Sequence, residues 1–159
     1  MRIALAVLLG GLIAGTLDIL SAFASYVPNG ATEVGILHYI ASGLIGKEAA
    51  EAGGAGTAAL GLAVHYALTL TMALIFVLAA KAAPALARNP WISGPLYGVL
   101  VYGAMTYLIV PHSRVAHWAL PHGWSIVGGL MAHCLYVGLP IALMARHVGR
   151  LDTAPLSRL

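Results

Sequence analysis

Asp18, His65 and His133 each interrupt a long apolar stretch of this chain. A carboxylate at the centre of a membrane helix costs at least about 2.5 kcal/mol on insertion scales, so it normally turns inward and finds a partner. A carboxylate beside imidazoles relays protons, holds a cation or binds a polar substrate group. Helix arithmetic places the three together. At about 1.5 Å per residue, Asp18 stands about 22 Å above the start of its helix, His65 the same distance from the end of the next, and His133 about 20 Å from the end of the last. Thr69 and Met72 share a face with His65, Tyr136 shares one with His133, and Tyr107 falls near the same level. The expected constellation is therefore Asp18, His65 and His133, with Thr69, Tyr107 and Tyr136 around them. The plainer alternative is an interhelical hydrogen-bond clamp, a type of contact that contributes about 0.6 kcal/mol on average.

Other chemistry is less well supported. His65 and His133 on neighbouring helices suit two axial haem positions, or a metal held between them. No second pair lies across the membrane, so an electron path is not implied. Cys134 and Met131 near His133 suggest a soft copper site, but adjacent helical residues point apart. His112, His117 and His122 recur around Arg114, Trp118 and Trp124 at a spacing that fits no helical face and no zinc pattern. They are expected to decorate a headgroup-level surface. Six of the seven histidines (His38, His65, His112, His117, His122, His133) fall in the outer half, and His147 on the other side. No phosphate-cradling glycine loop or nucleophile–base set is present, so no enzymatic activity is expected.

The elements that must position these residues follow from composition. The 159 residues are 60% hydrophobic and 8% charged, against about 25% charged in soluble domains. Lipid as solvent lets apolar side chains face outward. The chain is expected to be a single all-α transmembrane domain, with helices at about 3–26, 57–80, 92–110 and 124–146. Pro28-Asn29-Gly30, Pro84, Asn89-Pro90, Pro111 and Pro121 punctuate them, and Pro140 is expected to kink the last. Met1–Tyr26 carries Ala22-Phe23-Ala24, which mimics a signal-peptidase site. Asp18 breaks its apolar run, and it is expected to be a retained first helix. The single Cys134 excludes a disulfide within the chain. The net charge of +3 does not indicate nucleic acid, because the cations form no stripe.

The cations set the expected topology. Arg2, Lys81, Arg88, Arg146, Arg150 and Arg158 fall on one side, and Lys47 and Arg114 on the other, which favours both termini in the cytoplasm. The outer connection at about 33–50, capped by Thr32, is expected to be an amphipathic helix, interfacial or re-entrant. Gly53-Gly54-Ala55-Gly56 is expected to lead flexibly into the second helix. Gly11/Gly15 and Gly94/Gly98 are small-residue faces for close helix packing. Gly61-Leu62-Ala63-Val64-His65 matches Gly129-Leu130-Met131-Ala132-His133, which suggests a tandem repeat of two-helix units.

Several segments carry a resemblance that spans about residues 11–147. They are Ile13–Asp18 (IAGTLD), Tyr39–Gly46 (YIASGLIG), Thr57–His65 (TAALGLAVH), Gly94–Gly98 (GPLYG) and Gly138–Leu143 (GLPIAL). With these the chain resembles an uncharacterised family of small bacterial inner-membrane proteins of about four helices and, more distantly, the YagU-like membrane proteins. The resemblance implies the four-helix plan and the inner membrane, and it draws attention to Asp18 and His65. It carries no substrate or reaction. The functions expected from the residues are a small transporter or channel-like protein, a haem- or metal-binding redox protein, or an accessory subunit of a membrane complex. The expected partners are the lipid bilayer and either a second copy of the chain or a membrane complex.

Overall fold

A computed structural model describes residues 2–116 and 118–153. His117, one of the three loop histidines, and Arg158, one of the topology-setting cations, lie outside the described residues. Among the described residues the chain is helical with no strands. It forms α1 (Ile3–Tyr26), α2 (Glu33–Ile45), α3 (Lys47–Ala52), α4 (Gly54–Ala82), α5 (Ala85–Arg88), α6 (Pro90–Ala104), α7 (Trp124–Ala132) and α8 (Leu139–Thr153). A π-helical turn, Met105–Ile109, continues α6, and another, His133–Gly138, joins α7 to α8. Four stretches are long and apolar enough to cross a membrane: Ile3–Asn29, Gly54–Ala82, Pro90–Ile109 and Trp124–Arg150.

α1 has the expected bounds. The second span begins earlier than expected, because Gly54-Ala55-Gly56 is helical rather than a flexible lead. Thr57 explains the difference: its hydroxyl donates to the Ala50 carbonyl and ties the first turn of α4 to α3. The fourth span continues through the π-helical turn into α8, which runs on to Thr153. That turn ends two residues before Pro140. Proline cannot donate to the preceding turn, and widening the helix locally accommodates the lost hydrogen bond.

The spans run up and down antiparallel, and glycines set their closest approaches. Gly11 lies against Leu70, where an added Cβ would stand 2.8 Å from the Leu70 Cα, and Gly15 lies against Tyr66 and Thr69. The second pair is joined in the same way. Gly94 lies against Gly138 and Leu139, and Gly98 against His133 and Cys134. Gly10 seats α1 on α8, with its missing Cβ 3.4 Å from the Ile141 Cα. α1 therefore packs against α4 on one side and against the His133–Gly138 turn and α8 on the other. The core is made of small and medium side chains, among them Ala6, Ala14, Ala73, Phe76, Val77, Ala142 and Ala145. Larger residues such as Leu12, Leu78, Ile92, Leu96 and Leu100 point outward. This is the reverse of a soluble bundle and matches packing in lipid, where small residues belong at helix interfaces.

α2 is neither free nor independent. The Thr32 hydroxyl accepts from the Gly35 N–H at 3.0 Å and caps it. Gly46, at φ +85°, turns the chain into α3. α2 crosses α4 at Gly61, whose missing side chain is replaced by the Leu37 carbonyl. The segment after α6 holds the other end of α2, through the Arg114 N–H donating to the Gly43 carbonyl at 2.9 Å. Lys47 and Arg114 share this capped end. Arg2, Lys81, Arg88, Arg146 and Arg150 fall at the other, where α1 and α6 begin and α4 and α8 end.

Gly61→Ala is expected to destabilise the protein by about 1–3 kcal/mol, since the new methyl overlaps the Leu37 carbonyl and α2 must move. Gly128→Ala, in α7 with open space around it, is expected to gain about 0.5–1 kcal/mol from helix propensity. Thermal unfolding in detergent, followed by circular dichroism, checks both signs.

Candidate functional site

His65 is 8% exposed and lies at the α1–α4 contact. Its Nε2 donates to the Gly15 carbonyl at 2.8 Å. A carbonyl only accepts, so Nε2 carries the proton and Nδ1 is the bare nitrogen of the neutral ring. The geometry depends on Gly15. A Cβ there would stand 2.7 Å from the Thr69 hydroxyl and 2.9 Å from the Tyr66 ring. Thr69 is buried and donates to the Tyr66 carbonyl at 3.1 Å. Tyr66 stacks edge-on to His65, with centroids 5.6 Å apart, and its hydroxyl meets that of Thr16 at 2.9 Å. His65 and Tyr66 thus fasten α4 to α1, which is the clamp arrangement.

His133 is arranged differently. Its Nδ1 donates to the Gly129 carbonyl of its own helix at 2.8 Å, which leaves Nε2 as the acceptor of the neutral ring. The ring sits edge-on to Tyr102 of α6, with centroids 5.5 Å apart. Tyr102 fits because position 129 is glycine: a Cβ there would stand 2.8 Å from the Tyr102 Cε2. Among the described residues the Tyr102 hydroxyl is buried with no hydrogen-bond partner. A buried unpaired hydroxyl costs about 1–3 kcal/mol. Both π-helical turns adjoin this pair, one starting at His133 and the other at Met105, one turn beyond Tyr102. Such turns are frequent at functional sites. Cys134 donates its thiol to the Pro95 carbonyl at 3.3 Å, apart from the His133 nitrogens.

Asp18 is half-buried on α1, two turns beyond Gly11 and so near the azimuth of the Gly11 contact with α4. Gly10 lies on Ile141 in antiparallel register, so about two turns further along α1 Asp18 reaches the level of His133. Among the described residues its carboxylate has no ion-pair or hydrogen-bond partner; the bond recorded at Asp18 is from the Ser21 hydroxyl to its backbone carbonyl, at 2.8 Å.

The expected common level of Asp18, His65 and His133 agrees with the helix register, but the three do not share one pocket. His65 belongs to the α1–α4 interface and His133 to the interface of α6 with the fourth span. The two histidines expected to share a haem or metal position point into different contacts, His65 to the Gly15 carbonyl of α1 and His133 to its own helix and Tyr102. Among the described residues no group of three or more His, Cys, Asp or Glu is placed to hold a metal ion. Tyr107 and Tyr136 were expected beside the site and instead face outward, 63% and 40% exposed. The reason is local helix phase: both lie within π-helical turns, whose wider winding shifts the faces that a regular helical count assigns. The expectation had no place for Tyr102, although it follows Gly94 and Gly98 at the same four-residue spacing on α6.

No protein-family model matches the chain, and neither a curated protein nor a solved structure matches it.

His65→Ala is expected to lower stability by on the order of 1–3 kcal/mol, through a lost interhelical bond and a cavity at the Gly15 contact. Tyr102→Phe removes an unpaired hydroxyl and is expected to leave stability unchanged or to raise it by about 1 kcal/mol. Melting temperatures of the two variants in the same detergent test the assignment of clamp and non-clamp.

Proposed function

We propose that the chain is a multi-pass protein of the bacterial inner membrane with both termini in the cytoplasm. We propose further that it is a small transporter or channel-like protein whose ionisable site is Asp18, with His133 and Tyr102 at the same level. Support for the membrane placement comes from four long apolar helices with a small-residue core and leucines facing outward. Exposed Trp91 stands near one end of the bundle, with Trp124 and Tyr26 near the other, as an aromatic belt requires. The uneven sharing of cations between the two ends supports the orientation. The inner membrane rests on the family resemblance. Matching glycine contacts in the two helix pairs, Gly11 on Leu70 with Gly94 on Gly138, and Gly15 on Tyr66 with Gly98 on Cys134, favour the tandem two-helix repeat.

One observation carries the functional reading. A structural clamp needs a partner, and the Asp18 carboxylate has none among the described residues. His65, by contrast, spends its Nε2 on Gly15 and acts as the clamp. An intramembrane acid held without a fixed partner is available to a proton or a cation. At the same level, at the interface of α6 with the fourth span, stand an imidazole with a bare Nε2 and a hydroxyl with no partner among the described residues, groups suited to accept and pass a proton. Four helices are few to enclose a pathway, and α4 and α6 leave an apolar crevice of about 230 Å³ between them. A homo-oligomer is therefore part of the proposal.

The test is flux through purified protein in liposomes, with pH- and cation-sensitive dyes reporting H⁺, Na⁺ and K⁺. Wild type is expected to conduct at least one of these, and Asp18→Asn to reduce that flux at least about tenfold, equivalent to about 1.4 kcal/mol, with an unchanged melting temperature. Equal flux in wild type and Asp18→Asn, or none in wild type, would sink the reading and leave the accessory-subunit role.

A further inference from the structure

The capped end of the bundle carries a second feature, away from Asp18. A cavity of about 320 Å³ lies between α2, α3 and the segment after α6, lined by His38, Ser42, Lys47 and Glu51 together with Tyr39 and Val115. Next to it is a second cavity of about 390 Å³, lined by Tyr26, Ala31, Ile36 and the same Gly35 and Tyr39. The two share a wall made of one glycine and one tyrosine. The first holds both signs of charge, and the second is lined mainly by apolar groups.

The polar cavity has free capacity. Lys47 and Glu51 stand 3.8 Å apart with both side chains more than half exposed, a loose pair that exchanges readily for a better one. His38 uses Nε2 to donate to the Gly54 carbonyl at 2.8 Å, so its Nδ1 is the available acceptor. Ser42 donates its proton to the Tyr39 carbonyl at 2.7 Å, which leaves its oxygen lone pairs for an N–H donor. Burial, with Tyr26 adding to it, raises the Tyr39 phenol above its usual range, so at neutral pH it stays a neutral donor. The guanidinium of Arg114, beside Gly46, adds positive charge near the Lys47 side. A ligand that matches this set carries an ammonium for Glu51, Ser42 and His38 and an anion for Lys47, with an apolar tail crossing at Gly35.

We infer that the two cavities form one binding site for a phospholipid with a primary-amine zwitterionic headgroup, the ammonium and phosphate in the polar cavity and an acyl chain in the apolar one. The inference rests on the proposed membrane placement and is independent of Asp18. Three features favour a lipid over a free solute: the apolar cavity adjoins the polar one across Gly35 and Tyr39, the site lies at the end of the spans where headgroups sit, and Tyr26 and Tyr39 are exposed there.

The experiment is native mass spectrometry of the full chain released from nanodiscs of equimolar phosphatidylethanolamine, phosphatidylcholine and phosphatidylglycerol. Phosphatidylethanolamine is expected to be retained at least about fivefold over both others, a difference of about 1 kcal/mol. The choline headgroup has no N–H to donate, and the glycerol headgroup has no ammonium. Glu51→Gln is expected to bring phosphatidylethanolamine down to the phosphatidylcholine level, and Lys47→Ala to lower its retention. Both positions are exposed, so the variants should keep the wild-type melting temperature, and Asp18→Asn should retain the lipid as wild type does. Equal retention of the three lipids, or preference for phosphatidylglycerol, overturns the zwitterion assignment. Displacement of the lipid by soluble phosphoethanolamine at equal concentration overturns the role of the apolar cavity and assigns the site to a free solute.

Discussion

The contact between the backbones of α1 and α4 at Gly11 and Gly15 governs the rest of the bundle. In lipid, apolar side chains gain little by leaving the solvent, so helices associate through close packing and a few hydrogen bonds. Glycine at these two positions lets Leu70, Tyr66 and Thr69 approach the α1 backbone directly. Only at that separation does the imidazole of His65 reach the Gly15 carbonyl. With this pair fixed, the adjoining face of α1, through Gly10, becomes the seat of the fourth span. The fourth span in turn holds α6 through Gly94 and Gly98. α4 and α6, the two ends of this series, are bridged by the Tyr97 hydroxyl donating to the Met72 carbonyl at 2.7 Å and by the contact of its ring with Phe76. The apolar crevice beside that bridge is what remains when one join relies on a long side chain rather than on glycine.

The two helix pairs use glycine alike and histidine differently, and the difference separates structure from chemistry. His65 turns across its interface and secures the neighbouring backbone. His133 turns back on its own helix, so its ring secures nothing across the interface and meets Tyr102 edge-on. The interface of the second pair is carried instead by the approach of Gly94 to Gly138. Its histidine and its tyrosine hydroxyl are thereby released from holding the fold together. Two π-helical turns at this point add to the contrast, since a helix under no local demand stays regular.

The capped end applies the same rule on a smaller scale. Gly61 lets α2 cross α4 at backbone distance, Thr57 ties α3 to the start of α4, and Arg114 secures the end of α2 through its backbone. α2 and α3 become a fixed lid of packed helix, and the cavities bounded by His38, Tyr39, Lys47 and Glu51 have preformed walls. Ionisable groups therefore occur at two depths, Asp18 within the apolar length and the Lys47–Glu51 pair at its edge.

Much of the architecture was legible in the sequence because solvent selects it. With 8% of its residues charged, the chain is built of helices long and apolar enough to cross a membrane, and proline and glycine positions mark where those helices stop. The bounds of α1, the Thr32 cap and the glycine faces follow from local rules of helix geometry and capping. The common level of Asp18, His65 and His133 follows from rise per residue alone. Azimuth was not legible: which way a ring turns depends on the neighbour that takes its proton, and that neighbour is a backbone carbonyl no residue type announces. His65 found Gly15, His133 found Gly129, and Tyr107 and Tyr136 turned outward because π-helical winding moved them off the face that regular counting predicts. Sequence fixes the heights of polar groups along a helix, since height is a sum of local rises. Tertiary packing alone decides which of them meet, since that depends on how closely two backbones approach.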